Sequence, residues 1–216
     1  MRIDDEPVCE IDLNGSQPTL FSSLFGMRMN VGDTWTDVYA SVVDRLDAGE
    51  ERTLLRMMVK QVIVEMLGSG NSNRSGPAST EPPKKPDEPQ LFFDTDYSKQ
   101  MYLQIQREAV QVFPALEKLD TTYLNATGFL SYHESEILTL TLLKLKALGV
   151  VAYGVHDCVI VKQSDKAVAV ETYRDIIRNY CLKHQRSNNF PSLGINVAIT
   201  IEEKQTAKVK LEGSYV

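Results

Sequence analysis

The stretch Ala152-Tyr153-Gly154-Val155-His156-Asp157-Cys158-Val159-Ile160-Val161 narrows the fold more than any other part of the chain. An apolar run stops at a His–Asp pair and then resumes, the pattern of two antiparallel strands joined by a tight turn. The turn also lifts one carboxylate, Asp157, out of the core and presents it at the edge of a sheet. Val8-Cys9-Glu10-Ile11-Asp12-Leu13 has a related form, a short strand that leaves Asp12 near its end. Two acids on neighbouring strand ends could share metal ions.

The remaining segments read mainly as helices. Thr19–Phe25 is a short apolar helix stopped by Gly26, with polar residues 14–17 and Pro18 as the turn that precedes it. Apolar residues at 38, 39, 42, 43 and 46 have helical spacing, and a longer helix is expected from Glu50 to Leu67, closed by Gly68. Residues 68–90 change character: Gly, Ser, Asn and Pro dominate, and such a segment reads as a mobile loop. Tyr97–Leu119 is helical with a joint at Phe113-Pro114. His133–Leu148 is a strongly apolar helix expected at the centre of the core, Lys166–His184 is amphipathic, and Ile195–Ile201 alternates as a strand. Residues 208–216 would add an edge strand. The fold class is α+β, a small antiparallel sheet backed by helices.

Composition excludes more than it selects. With 216 residues, 43% of them apolar and 24% charged, the chain can bury a sizeable core as one domain or a domain with an inserted subdomain. No apolar stretch approaches the roughly 20 residues of a membrane span, and the acidic start lacks the apolar core of a signal peptide. Cys9, Cys158 and Cys181 have neither zinc-site nor disulfide-framework spacing, so a reducing, cytoplasmic setting is expected, the host cytoplasm if the chain is phage-encoded. A net charge of −6 weighs against nucleic-acid binding, although phosphate recognition needs local rather than total positive charge.

Three segments, in order, resemble a known family. Asp12-Leu13-Asn14-Gly15-Ser16-Gln17-Pro18 resembles motif A of the family A DNA polymerases and single-subunit phage-type RNA polymerases. Arg56-Met57-Met58-Val59-Lys60, running on to Leu67-Gly68, resembles the Arg-x-x-x-Lys helix of motif B, and Val155-His156-Asp157-Cys158 resembles motif C. The resemblance implies a polymerase palm with a reduced helical fingers segment: palm at 1–30, fingers-like helices at 31–67, a flexible loop at 68–90, and palm again at 91–216. It implies that Asp12 and Asp157, with the Leu13 carbonyl, hold Mg²⁺ or Mn²⁺. Nucleotidyl transfer by two metals needs two carboxylates holding ions about 4 Å apart, one activating a primer hydroxyl and the other steadying the leaving pyrophosphate. Arg56 and Lys60, four apart on one helix face, would meet the incoming triphosphate, and Arg52 would extend that stripe. His156 would help position the primer end, and Gln17 stands where the DNA polymerases carry a sugar-screening Glu. The implied partners are nucleoside triphosphates, a DNA or RNA primer–template and other replication proteins, in replication, priming or transcription.

Each residue also has a plainer role. Asp12 would cap the helix that follows it, Asp157 would merely occupy a turn, and Glu50, Glu51 and Glu65 would balance the basic stripe. His133 and Glu134 either face the cleft or cap their helix with Ser135 and Glu136. Tyr39, in an acidic–aromatic Asp37-Val38-Tyr39 motif, is more simply a core residue. The chain also departs from the family pattern. Cys158 replaces the DNA polymerases' Glu, Val64 replaces a bulky side chain, no stacking Tyr follows the Arg-x-x-x-Lys helix, and neither thumb nor exonuclease is visible. The rivals are therefore a non-catalytic palm that binds nucleic acid or protein, and a two-metal nuclease with Glu10 as an extra acid.

Overall fold

The sheet is built around the strand that carries Asp12. In the computed structural model, which describes residues 2–31, 37–46, 49–83, 85, 88–120, 126–190 and 199–202, that strand is β2, Glu6–Leu13. It pairs with β1 (Arg2–Ile3), β4 (Cys158–Lys162) and β5 (Ile199–Glu202), while β3 (Ala152–Val155) pairs with β4; every pairing is antiparallel. Successive side chains of a strand point to opposite faces. Cys9, Ile11 and Leu13 are therefore buried, while Glu10 and Asp12 stand half-buried on the other face. Val159 and Val161 of β4 join the buried set, and Ile3, Val8 and Ile160 form a small apolar cluster of their own.

Among the described residues six α-helices accompany the sheet, so the expected α+β class is observed: α1 (Ser16–Leu24), α2 (Ala40–Val43), α3 (Arg52–Ser69), α4 (Asp96–Val112), α5 (Ala126–Ala147) and α6 (Lys166–Ser187). α3 begins where the Glu51 carboxylate accepts the Thr53 and Leu54 N–H groups, and it ends at Gly70, whose φ of 63° suits glycine. It buries Leu55, Met58, Val59, Val62, Ile63, Met66 and Leu67, each contributing about 1.5–3 kcal/mol by leaving water. That apolar face, rather than the cap at about 1 kcal/mol, holds the helix in place. These side chains share one buried cluster with Ile11, Tyr102, Leu130 and Ile177, so the segments assigned to palm and fingers have a common core.

Several expectations need correction. Gln17 and Pro18 lie in the first turn of α1 rather than in a turn before it, because Gly15 (φ 52°) already reverses the chain. Gly68 falls inside α3, since Gly70 supplies the left-handed end. The 37–46 helix shrinks to Ala40–Val43, and residues 195–198 and 208–216 lie outside the described set. α5 starts seven residues before His133, which places His133 and Glu134 mid-helix rather than at a cap. Nor is α5 apolar core throughout. It buries Ala126, Leu130, His133, Ile137, Thr141 and Leu145 along one stripe, leaving Leu140 and Leu143 41% and 58% exposed, as is Leu148 (51%) just past its end.

The segment 70–90 has no helix or strand among its described residues, as its composition suggests, but it is anchored. Ser72 donates from its N–H (2.8 Å) and Oγ (2.5 Å) to Asp120, the Ala78 N–H to Glu65 (2.9 Å), and Arg74 Nε to Tyr102 Oη (3.0 Å). Composition revealed that the segment lacks a core of its own. It did not reveal that α3 and α4 carry acceptors for its polar groups.

Candidate functional site

Continuing the β2–β4 register by one step past Ile11↔Val159 sets Asp12 opposite Cys158, with Asp157 one residue further on in the β3–β4 turn. The sheet thus brings the two acids together from residues 145 positions apart. His156 holds the turn with φ 55°, a left-handed conformation that His tolerates better than most residues. Tyr173 of α6 is buried and donates its hydroxyl to the Asp157 carbonyl at 2.7 Å, which fixes the turn against the helix layer. No motif pointed to Tyr173; it is one amphipathic-helix residue among others until the fold seats the turn on it.

These acids open into a cleft of about 610 Å³, and its lining collects the residues singled out in the sequence: Asp12, Leu13, Gln17, Arg56, Lys60, His156 and Asp157. They come from the end of β2, the first turn of α1, the face of α3 and the hairpin turn. Arg56, Lys60 and Val64 recur every four residues, so α3 presents all three to the same opening. Tyr39 and Glu134 line it as well, as do Asn14, Gly15, Ser16 and Ser131.

The acids that neighbour the basic stripe in sequence are engaged elsewhere. Glu51 caps α3, Glu50 accepts from Tyr97 Oη at 3.1 Å, and Glu65 accepts from Tyr102 Oη at 3.0 Å. Arg52 is drawn to Asp44 at 2.7 Å and is absent from the cleft lining, so the stripe ends at Arg56. Arg56 itself is oriented: its Nε donates to Asp37 Oδ2 at 2.5 Å, and its guanidinium lies 5.5 Å from the centre of the Tyr39 ring. Tyr39 is both core and cleft wall, and burial pushes its hydroxyl up to about 12.

Asp12 is not the cap of α1. The N-cap is Gly15, where no side chain caps the helix, and a Cβ there would come within 2.4 Å of Val38 Cγ2. That close approach packs the α1 entry against the Val38–Tyr39 turn and favours glycine on two counts. Ser16 donates from Oγ to Glu134 Oε1 at 2.8 Å, tying α1 to α5 across the cleft wall. Burial raises the Glu134 carboxyl above its ordinary range, and the negative charges of Asp157 and Asp12 add to that effect. Cys158 is pushed up to about 11, by burial first and then by Glu10 and Asp12, so its thiol stays protonated.

Among the described residues, no group of three or more His, Cys, Asp or Glu side chains is placed to hold a metal ion. The carboxylates in the lining are Asp12, Asp157 and Glu134, the last already bonded by Ser16, and all are hard oxygen donors; Leu13 lines the cleft beside Asp12. That set fits magnesium, which commonly takes one or two carboxylates and completes its shell with water and substrate phosphates. Glu10 does not line the cleft. Among the described residues no helix is long and apolar enough to cross a membrane. No protein-family model matches the chain and no curated protein matches it, so the chemistry of the cleft stands on its own residues.

Proposed function

We propose that the chain is a palm-type nucleotidyltransferase that adds nucleotides to a primer or nucleic-acid end in phage or mobile-element replication, priming or transcription, working in the cytoplasm. One observation carries the reading: seven residues chosen from three separate sequence segments line a single cleft, which gathers the acids Asp12 and Asp157 and the cations Arg56 and Lys60. Asp12 and Asp157, with the Leu13 carbonyl, would hold Mg²⁺ or Mn²⁺. When bound, the ions would supply a more acidic primer hydroxyl and charge neutralisation at the triphosphate.

The chain's own residues do the rest. Lys60 and Arg56 face the phosphates and stabilise charge that develops as the pyrophosphate departs. Asp37 and Tyr39 hold Arg56 in place before substrate arrives, which lowers the cost of orienting it. Tyr173 holds the turn so that Asp157 keeps its position relative to Asp12. A 610 Å³ cleft is the size of an ordinary small-ligand site, large enough for one nucleotide. The cations lie within the cleft despite the net charge of −6, so phosphate attraction is local.

The test is extension of a labelled primer–template by the purified protein, with Mg²⁺ or Mn²⁺ and with ribo- and deoxyribonucleotides supplied separately. Incorporation that disappears in Asp157→Ala, and whose nucleotide KM rises in Lys60→Ala more than primer affinity falls, is the expected result. Binding of primer–template without incorporation would favour a non-catalytic palm. Degradation of the oligonucleotide without added nucleotide would favour a nuclease.

A further inference from the structure

We infer that Glu134, held by Ser16, is the acceptor that reads the sugar hydroxyls of the incoming nucleotide, and that the preferred substrates are ribonucleoside triphosphates. The inference rests on the nucleotidyltransferase reading and assigns the sugar end of the same cleft.

The lining divides by chemistry. All four charged residues of the proposed chemistry line the cleft; on that reading Asp12 and Asp157 would hold the metal ions, and Arg56 and Lys60 would meet the phosphates. A nucleotide tethered at those points must lay its sugar against the rest of the wall: Asn14, Ser16, Gln17, Tyr39, Ser131 and Glu134. Within that group Glu134 is the one carboxylate, and a carboxylate is the strongest neutral-pH acceptor for a hydroxyl donor. The Ser16 Oγ donates to its Oε1 at 2.8 Å, which selects one rotamer and prepays the entropy of positioning it. An ionised carboxylate offers about four acceptor positions, so the Ser16 bond leaves others for substrate hydroxyls.

Position supports the same assignment. Ser16 immediately precedes Gln17 in the first turn of α1, so Glu134 reaches from α5 to the neighbourhood of an uncharged amide. Gln17 can donate or accept, whereas Glu134 only accepts when ionised. Glu134 is half-buried, and a seated nucleotide would cover it further. A site built to bond a hydroxyl discriminates against the analogue that lacks it, because the covered acceptor is then left unmatched. A 2′-hydroxyl supplies that donor and a 2′-hydrogen does not.

The experiment measures binding of ATP and of 2′-deoxy-ATP with Mn²⁺ by calorimetry, and incorporation of each on a primer–template, for the full chain and for Glu134→Ala, Glu134→Gln and Ser16→Ala. The wild type should favour the ribonucleotide by about ten- to hundredfold, the worth of one charge-assisted hydrogen bond. Glu134→Ala should remove most of that ratio, with the loss falling on the ribonucleotide. Glu134→Gln keeps a neutral acceptor of the same length and should retain part of the ratio, which guards against a folding defect in the alanine variant. Ser16→Ala should give a smaller loss in the same direction. A wild type that binds both sugars equally, or a ratio unchanged in Glu134→Ala, overturns the inference and leaves the nucleotidyltransferase reading standing. A wild type that neither binds nor incorporates either nucleotide overturns both.

Discussion

His133 and Glu134 are consecutive residues of α5, yet they belong to two different polar regions. Glu134 faces the cleft, bonded to Ser16 and within the field of Asp12 and Asp157. His133 faces inward: its Nδ1 lies 2.7 Å from Tyr180 Oη, and its ring stacks edge-on with Phe129 at 4.4 Å and with His184 at 4.9 Å. Burial drives both groups toward the neutral form, raising the acid and pushing the histidine down to about 4, with His184 adding to the second effect. The histidine region is closed by aromatic rings and gains its stability from packing. The cleft keeps its acids and cations on an opening where a ligand can reach them. One helix therefore separates a structural polar cluster from a candidate chemical one, and the neighbours of each group, not its identity, make the difference.

The largest expected effect tests the cleft side of this comparison. Asp12→Ala should lower metal-dependent incorporation by roughly 10²–10³-fold, the cost of losing one preorganised electrostatic group. The melting temperature should hold within a few degrees, and an equal loss of stability would assign Asp12 to the structural class. The next tests the closed region by pH. His133 takes up protons less readily folded than unfolded, so stability should be full above its ordinary 6.5 and fall as pH drops toward about 4. The loss over that window should be about 3 kcal/mol by linkage. His133→Phe should flatten it, as read by denaturant unfolding at several pH values. An unchanged slope would show that other groups carry the acid sensitivity.

Two smaller effects sharpen the boundary. Gly15→Ala must adopt φ 52° and displace Val38, so it should cost roughly 2 kcal/mol and disturb the α1 entry that carries Ser16 and Gln17. A drop in both melting temperature and incorporation is expected, whereas Asp12→Ala should lower incorporation alone. Asp120→Ala removes the acceptor for two bonds from Ser72 and should cost about 1 kcal/mol, with no change in the cleft. Its melting temperature and nucleotide KM, measured together, check that the 70–90 segment contributes to stability without serving the site.

Much of the cleft was legible beforehand because its residues sit in local patterns. Arg56, Lys60 and Val64 share a helix face by spacing alone, and the hairpin at 152–161 announces itself through the interruption of two apolar runs. Elements with an internal signal, such as the joint at Phe113-Pro114 and the α6 helix, fell close to their expected bounds. The α5 helix misled because leucine content was taken for burial. Its leucines outnumber the positions that one stripe against α6 and β3 can cover, and those beyond the stripe stay exposed. The 70–90 segment misled for the opposite reason, since its partners Glu65, Tyr102 and Asp120 are distant in sequence.

The amino-acid sequence by itself determined the local elements, the acids at two strand ends and the basic face of α3, because helix and strand periodicity and turn chemistry act over a few residues. Tertiary structure alone decided that Asp12 lies beside Asp157, that Asp37 and Tyr39 orient Arg56, that Tyr173 braces the turn, and that Ser16 reaches Glu134. Those relations depend on strand register and on helices packed across a shared core, which bring together groups up to 145 residues apart. No short-range preference encodes such distances; the burial of the common core sets them.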